Sequence, residues 1–205
     1  MFITFEGLDF CGKSTQVELL KDYLESLGKR VMILREPGGT SISEKVREIL
    51  LDKENSEMVM ETELLLFSAS RAQLVREVII PELKKGTYVI SDRFHDSTIA
   101  YQGYGRGLEI SFITHLQNFV IDGAKPDITF YIDMELKELE QRKKRIKSLN
   151  LDRIESSKDD FYSKVREGYL HLCETEERFV MLNGMDSIEE IHSKIINVLS
   201  EKGNL

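Results

Sequence analysis

The stretch Gly7-Leu8-Asp9-Phe10-Cys11-Gly12-Lys13-Ser14 decides the fold that this sequence predicts. An apolar run, residues 1–5, precedes it, and an amphipathic helical pattern follows at once. Two glycines five residues apart, then Lys and Ser, are typical of a phosphate-binding loop, whose main-chain N–H groups surround a polyphosphate. The lysine reaches the outer phosphates and the hydroxyl meets Mg²⁺. We therefore expect a nucleoside triphosphate ligand. The alternative is a glycine-rich turn with a surface lysine. The predicted strand before the loop and helix after it favour the phosphate-binding loop, which requires both.

Length and composition suit one α/β domain spanning residues 1–205, with 41% hydrophobic residues available for a core. The 36 acidic and 28 basic residues leave a net charge of −8, which argues against broad binding of nucleic acid. The chain enters its first strand without a basic-then-apolar leader, and its apolar stretches are too short to cross a membrane. We expect a cytoplasmic protein with no nucleic-acid or membrane partner, and with Cys11 and Cys173 as free thiols.

Hydrophobic periodicity places helices and strands in alternation along the chain. Apolar residues from Val17 to Leu27 recur at helical spacing, and Gly28 is expected to end that helix. Short strands are predicted at 31–34, 88–90 and 128–132, a short helix at 42–50, and a longer helix from about Leu64 to Val78 that Pro81 limits. This order predicts a parallel, doubly wound sheet with its ligands beyond the carboxyl ends of the strands.

The exit of the second predicted strand carries Arg35-Glu36-Pro37-Gly38-Gly39-Thr40. An arginine at this edge could hold a phosphate with two parallel hydrogen bonds. An ordinary Pro-Gly turn with a solvated arginine explains the same residues equally well.

The long helix places Arg71 on an otherwise apolar face, one turn after Phe67. A buried guanidinium needs a partner because an unpaired buried charge is costly. An aromatic ring and an arginine one turn apart suit a planar heterocycle, with Phe67 stacking and Arg71 donating to a carbonyl. The alternative is a structural salt bridge for Arg71 and a plain core position for Phe67.

Asp92 and Arg93 leave the third strand, and Gln102 follows them. The carboxylate could hold a water bound to Mg²⁺, and the arginine a second phosphate. A helix cap and a surface ion pair are the structural alternatives. Gln102 offers both a donor and an acceptor, as recognition of a base edge requires, although most glutamines are simply solvated.

Basic residues are concentrated at 142–147, and Arg153 lies a little further on. Such a run could form a lid whose arginines stabilise the charge that develops in phosphoryl transfer. A solvated helix face or a nucleic-acid patch is the alternative.

In order and spacing, these motifs resemble bacterial thymidylate kinase over almost the whole chain. The resemblance implies a three-layer P-loop NTPase fold, in which helices flank a parallel five-stranded sheet, with a short lid at about 142–155. It also implies transfer of the γ-phosphoryl group of ATP to dTMP, giving dTDP, with Mg²⁺ as cofactor and a homodimer as the assembly.

Residue roles follow from the same resemblance. Lys13 and the loop amides would hold the ATP phosphates, Ser14 would bind Mg²⁺, and Asp92 would support the metal through water. Catalytic roles would fall to Lys13, Asp9, Arg93, Arg145 and Arg153. The implied ATP contacts are Gly7, Leu8, Asp9, Phe10, Cys11, Gly12, Lys13, Ser14, Thr15 and Arg142, the last packing on adenine. The implied dTMP contacts are Asp9, Arg35, Arg47, Phe67, Arg71, Arg93, Ser97, Tyr101 and Gln102.

Within that set, Arg35 and Arg93 would bind the acceptor phosphate, and Asp9 would lie near the sugar. Phe67 would stack on thymine, with Arg71 bonding its O4. Ser97 and Gln102 would line the base edge, Tyr101 would crowd the 2′ side of the sugar, and Arg47 is a weaker candidate for the same pocket.

The chain departs from the family in the length of its lid, which is longer than in relatives, and at Phe10 of the phosphate loop. Phe10 stands where relatives usually have glycine, and its ring could narrow the acceptor site or point outward. Cys11, beside a helix N-terminus and Lys13, suggests a lowered thiol pKa and an ATP site that oxidation blocks; a buried, inert thiol is the alternative. Because this loop has no basic residue besides Lys13, the chain resembles the branch whose catalytic cations come from the lid, with Arg145, Lys147 and Arg153 as candidates.

Two other functions are compatible with the same residues. A kinase for a different nucleoside monophosphate would share the phosphate loop. A non-catalytic nucleotide switch or a nucleic-acid-binding ATPase would use the basic run on a phosphate backbone and would bind nucleic acid with strong salt dependence.

Overall fold

The central sheet of the computed structural model follows from the buried apolar runs in the sequence. The structure describes residues 1–145, 152–154 and 159–203. In this part of the chain, five strands form one parallel sheet in the order β2-β3-β1-β4-β5. The strands are β1 (Phe2–Glu6), β2 (Val31–Arg35), β3 (Tyr88–Asp92), β4 (Ile128–Asp133) and β5 (Phe179–Asn183). The predicted fold class is confirmed, and the four strands predicted from apolar runs are all present.

Helices cover both faces of this sheet. The α-helices are α1 (Lys13–Ser26), α2 (Ser41–Leu51), α3 (Met60–Leu74), α4 (Ile80–Lys84), α5 (His95–Thr98), α6 (Ile110–Ile121), α7 (Leu136–Lys144), α8 (Asp159–Thr175) and α9 (Ile188–Glu201). Two π-helical segments, Val75–Ile79 and Ile99–Gly105, continue α3 and α5. Helices α1 and α9 pack together on one face, while α3, α4 and α8 cover the other. No helix among the described residues is long and apolar enough to cross a membrane.

The central strand β1 explains why the phosphate loop is held rigidly. All five of its residues are buried, because β3 and β4 pair with it on either side and helices cover both faces. Thr4, in the middle of the strand, shares a hydrogen bond of 2.8 Å with Thr129 of β4. Since the strands are parallel, Glu6, Asp92 and Asp133 all reach the same edge of the sheet.

Helix α1 begins at Lys13, within the phosphate-loop motif, and ends as predicted. Its last residue is Ser26, and Gly28 follows with a φ of 73°, the left-handed conformation that glycine adopts without strain.

The prediction that Pro81 ends the long helix is wrong. Helical turns continue from α3 through the π-helical segment and Pro81 to Lys84. The wider turn explains the difference: the N–H of Ile80 donates to the carbonyl of Val75, an i→i+5 bond, and the next residue is the proline, which has no N–H to place. Pro81 therefore lies in the first turn of α4, where proline is tolerated.

Candidate active site

The phosphate loop joins β1 to α1 by a turn that only glycine allows at its start. Gly7 has a φ of 139°, and a Cβ there would lie 2.6 Å from the carbonyl oxygen of Ile132. Gly12 caps α1 in a left-handed conformation and has no side chain to occupy the first N–H groups of the helix. Those N–H groups, at the positive end of the helix dipole, can therefore accept an anion.

Lys13 and Ser14 place a cation and a hydroxyl at this helix terminus. The Lys13 ammonium donates to the carbonyls of Gly7 and Leu8 at 3.0 and 2.9 Å, which holds it beside its own loop. The Ser14 hydroxyl donates to the Asp92 carboxylate, at the end of β3, at 2.7 Å. The two predicted metal-binding residues are thus adjacent.

Arg93 lies between the phosphate loop and α5. Its guanidinium donates to Asp9 at 2.6 Å and to the hydroxyls of Ser97 and Tyr169, both at 3.3 Å. It also lies 5.0 Å from the centre of the Tyr101 ring. Burial alone would raise the pKa of Asp9, but the charges of Arg93 and Lys13 outweigh it and hold the pKa below its ordinary value. Asp9 is therefore an anion beside the phosphate loop.

Glu6, at the carboxyl end of β1 where the ligands are expected, positions the segment after Arg93. Its carboxyl group accepts hydrogen bonds from the Phe94 N–H at 2.8 Å, the Ser97 hydroxyl at 2.6 Å and the Tyr169 hydroxyl at 2.7 Å. Complete burial and the nearby charge of Asp96 raise the pKa of Glu6 to about 7. Arg93 itself has a φ of 71°, an uncommon conformation that these contacts stabilise.

A first cavity, of about 610 Å³, opens in front of the phosphate loop. It contains the end of the loop, the Ser14–Asp92 pair and several arginines, which suits a polyphosphate. Its lining is Asp9, Phe10, Gly12, Lys13, Ser14, Thr15, Arg35, Glu36, Arg47, Asp92, Arg93, Arg142 and Arg145.

A second, narrower cavity of about 170 Å³ lies between α3 and α5 with its π-helical continuation. Phe67, Tyr101 and Gln102 give it an aromatic and polar lining, typical of a site for a planar ligand with polar edges. It is lined by Asp9, Glu36, Pro37, Arg47, Leu51, Phe67, Arg71, Arg93, Ser97, Thr98, Tyr101, Gln102, Asp152 and Ile154. Asp9, Glu36, Arg47 and Arg93 line both cavities, so ligands in the two would meet at these side chains.

Arg71 is almost fully buried and has protein partners for its whole guanidinium. It forms an ion pair with Glu36 through Nε and Nη2, and donates to the Thr98 hydroxyl, the Gln117 amide oxygen and the Phe94 carbonyl. Four hydrogen bonds and this ion pair thus engage all three guanidinium nitrogens. The structural salt bridge considered for Arg71 is therefore present, and the residue lines the second cavity as well.

Gln102 is buried rather than solvated, and Glu63 accepts a hydrogen bond from its side chain. Its amide nitrogen donates to Glu63 of α3 at 2.9 Å. The same carboxylate accepts from Arg106 at 3.1 and 3.2 Å and pairs with Arg153 at 2.7 Å. A buried glutamate thus lies behind Gln102, outside the lining of the second cavity and one turn before Phe67 on α3.

Comparison with known proteins gives a consistent result. The family model described as thymidylate kinase matches residues 5–195. The chain belongs to the thymidylate kinase family. The thymidylate kinase of Thermosipho africanus is 48% identical over 201 residues, covering 98% of each chain. That of Chlorobaculum parvum is 47% identical, over 97% of this chain and 95% of its own. The crystal structure of thymidylate kinase from Ehrlichia chaffeensis is 37% identical, with a TM-score of 0.79 and 98% coverage of both chains.

The basic residues predicted for the lid lie in different places in this member of the thymidylate kinase family. Arg142 contacts the carbonyls of Phe10 and Cys11 at 3.4 Å and that of Gly184 at 2.8 Å, against the back of the phosphate loop. Arg145 is exposed and lines the first cavity. Arg153 instead binds the Leu50 carbonyl at 2.9 Å and pairs with Glu63. Lys147, the third candidate, lies outside the described residues.

Arg35 and Arg47 line the first cavity from the β2 edge. Arg35 is exposed and pairs with Glu44 of α2 at 3.4 Å, so it is near the phosphates and only weakly held. Arg47 donates to the Pro37 carbonyl at 2.7 Å and reaches both cavities.

The expected lowering of the Cys11 pKa is wrong. The thiol is buried, and burial raises its pKa more than the nearby charges of Lys13 and Arg93 lower it. The inert alternative therefore describes Cys11 better. Phe10 adopts a φ of 69°, is partly buried and lines the first cavity, so its ring borders the phosphate site.

Three glutamates of the site, Glu6, Glu36 and Glu63, had no assigned role from sequence. Each is buried and bonded to a predicted binding residue: Ser97, Arg71 and Gln102 respectively. Each had a positional signal: Glu6 and Glu36 lie where β1 and β2 end, and Glu63 precedes Phe67 and Arg71 at i, i+4 and i+8 along one helix face.

Proposed function

We propose that this protein transfers the γ-phosphoryl group of ATP to dTMP, forming dTDP, by direct in-line displacement. The main support is that the two cavities of this thymidylate kinase family member meet at four shared lining residues, Asp9, Glu36, Arg47 and Arg93. A donor on the phosphate loop and an acceptor in the aromatic cavity would bring their phosphates together at that junction.

ATP would occupy the first cavity. The N–H groups at the start of α1 and the Lys13 ammonium would bind its β- and γ-phosphates. Arg142 would pack on the adenine from behind the loop. We assign the catalytic cations to the lid, at about 142–155, and prefer Arg145 to Arg153 because Arg145 lines the phosphate cavity whereas Arg153 is bound to Glu63 and Leu50.

Mg²⁺ fits the Ser14–Asp92 pair. Both groups offer the hard oxygen ligands that this cation prefers, and they border the phosphate cavity. The described residues contain no cluster of three or more His, Cys, Asp or Glu side chains suited to a metal ion, so phosphate oxygens and water would complete its coordination. When bound, Mg²⁺ would neutralise charge that develops on the phosphates.

dTMP would occupy the second cavity. Its phosphate would face Arg93 and Arg35, its sugar Asp9 and Tyr101, and its base Phe67, Ser97 and Gln102. A bond from Arg71 to thymine O4 would have to share or replace one of its uncharged protein acceptors, which are the Thr98 hydroxyl, the Gln117 amide oxygen and the Phe94 carbonyl. Since the acceptor phosphate is already a nucleophile, transfer needs no general base, and the residues act by positioning and charge stabilisation.

We propose a homodimer as the working assembly and a single kinase domain over residues 1–205 in the cytoplasm. Support for the dimer comes from large apolar side chains exposed on neighbouring helices α3 and α6: Leu65, Ile110, Phe112 and Phe119.

A coupled assay of ADP release tests this function, with dTMP, dUMP, dCMP, UMP and dGMP supplied in turn as phosphoryl acceptors. We expect ADP release that depends on a monophosphate and is fastest with dTMP, and that disappears without Mg²⁺. Preference for another monophosphate would support the nearest alternative, a kinase of different specificity. ATP hydrolysis stimulated by DNA or RNA but by no monophosphate would contradict a kinase altogether.

A further inference from the structure

We propose that Glu63 determines base specificity: by fixing the side-chain amide of Gln102, it makes the cavity accept a base that carries an N–H at ring position 3. This inference rests on the proposed function, because it concerns which monophosphate enters the second cavity. Glu63 would act as a positioning residue, with Gln102 as the group that touches the base.

The contact between the two side chains is buried and close. Glu63 is 1% exposed and Gln102 is 2% exposed, and the Gln102 nitrogen lies 2.9 Å from Glu63 Oε1. Glu63 Oε1 also accepts from Arg106 Nε at 3.1 Å. Glu63 Oε2 accepts from Arg106 Nη2 at 3.2 Å and pairs with Arg153 at 2.7 Å. Both arginines favour a charged carboxylate at this position.

The charge of Glu63 decides which end of the Gln102 amide faces it. Burial would raise the pKa of Glu63, but hydrogen bonds from Arg106 and Gln102 outweigh it and hold that pKa below its ordinary value. An ionised carboxylate has no proton to donate, so the group opposite it must be a donor. The nitrogen of Gln102 therefore faces Glu63 for a chemical reason, and the opposite orientation would place two oxygens against each other.

With its NH₂ group turned toward Glu63, Gln102 has its oxygen on the opposite side of the amide, where it can act as an acceptor for the cavity. The residue lines the second cavity together with Phe67 and Tyr101. Within the described ranges, Oε1 of Gln102 has no hydrogen-bond partner, although the nitrogen has one. An acceptor directed into the cavity selects a ligand with a donor at that point.

This acceptor separates the pyrimidines into two classes. Thymine and uracil carry a hydrogen on N3 and can donate to Gln102. Cytosine has an unprotonated N3, which would place one acceptor against another and leave a buried oxygen unsatisfied. Glu63 would thus favour thymine and uracil equally over cytosine, and the contacts of the 5-methyl group would separate the first two.

The variant Glu63→Gln tests this mechanism. The Oε2 side would keep an oxygen because Arg106 donates to it and Arg153 pairs with it, so the new NH₂ group would take the Oε1 position, facing Gln102 and losing the bond from Arg106 Nε. Gln102 would then turn, accept that hydrogen bond and present its own NH₂ to the cavity. We expect the ratio of kcat/KM for dCMP to that for dTMP to rise about tenfold or more, with the KM for ATP unchanged.

Arg106→Met is the matched control. It removes one charged partner of Glu63 while leaving the Glu63–Gln102 contact in place, so the dCMP to dTMP ratio should stay within about twofold of wild type. A rise equal to that of Glu63→Gln would assign the effect to general loosening of the charged cluster and would overturn the proposal.

Gln102→Met gives an independent measurement. It removes the amide at similar length, so the preference for dTMP over dCMP should fall, and adding Glu63→Gln to it should change the ratio no further. Full preference in Gln102→Met, or an unchanged ratio in folded Glu63→Gln, would overturn the inference. A wild-type protein without dTMP-dependent ADP release would instead contradict the proposed function, so the two failures are distinguishable.

Discussion

The phosphate loop and the base-side cavity achieve binding in opposite ways. The loop uses main-chain N–H groups and one lysine, supplied by consecutive residues from Gly7 to Ser14. The cavity uses side chains from α3, α5 and its π-helical continuation, and several of them are held by partners distant in the sequence, as Glu36 holds Arg71 and Glu63 holds Gln102. A loop of this kind tolerates change around it, whereas the cavity depends on several buried ion pairs. Substitutions in the phosphate loop should therefore change ligand binding or turnover without changing the free energy of unfolding. Substitutions in the base-side cavity should change both.

The largest expected effect is loss of turnover in Lys13→Ala. Removing the ammonium takes away the cation that the loop itself supplies to the transferred phosphoryl group, so kcat should fall about 10³-fold. The KM for dTMP and the free energy of unfolding should change little, because Lys13 bonds only to its own loop among the described residues. Steady-state kinetics and urea unfolding measure both, with Lys21→Ala, a partly exposed lysine of α1 outside both cavities, as control. Near-normal turnover would contradict the assignment of the loop.

Arg71→Met should combine a binding defect with a stability defect. We expect the KM for dTMP to rise about 100-fold with little change in the KM for ATP. We also expect a loss of about 3 kcal/mol or more in the free energy of unfolding, because Glu36 would stay buried without its cation.

The exposed Arg30→Met, whose partner is Glu82 at the far end of β2, is the control and should affect neither quantity. A stability loss with an unchanged KM for dTMP would make Arg71 a purely structural residue. It would also weaken the contrast between the two regions.

Glu6→Gln should reveal how burial at the site affects the pH dependence of stability. The pKa of Glu6 is raised from 4.5 to about 7, so between these values the folded state binds more protons than the unfolded state. This group therefore makes the free energy of unfolding decrease as pH rises from 4.5 to 7, by at most about 1.4 kcal/mol per pH unit. Urea unfolding across that range should show the wild type losing stability relative to Glu6→Gln. A constant difference between the two would contradict the raised pKa.

The smallest expected effect concerns the sugar. The Tyr101 hydroxyl is buried and has no hydrogen-bond partner among the described residues, so Tyr101→Phe should not reduce stability. If that hydroxyl crowds the 2′ side of the sugar, kcat/KM for the ribose form of thymidine monophosphate should rise about fivefold relative to dTMP. Competition kinetics with the two nucleotides measures this ratio. An unchanged ratio would leave ribose exclusion to another group of the cavity.

Most of the architecture was predictable from sequence, because buried parallel strands are continuous apolar runs with a charged residue at their carboxyl end. The strand β5 was not singled out, since only two of its five residues are buried and its pattern is weak. The helix end predicted at Pro81 was wrong because a π-helical turn precedes the proline. That turn lets the helix continue without an N–H at Pro81. Cys11 misled because a thiol next to a lysine suggests a low pKa, whereas its burial has the larger effect.

The sequence by itself determined the phosphate loop, the parallel sheet and the edge where the ligands bind. These features depend on neighbouring residues, on glycine spacing and on strand polarity, so local chemistry is sufficient to specify them. Only the tertiary structure decided which partner each buried charge receives: Glu36 for Arg71, Asp9 for Arg93, and Glu63 for Gln102 and Arg153. A buried charge requires a partner, but the choice depends on side-chain distances that the packing of separate helices and strands sets.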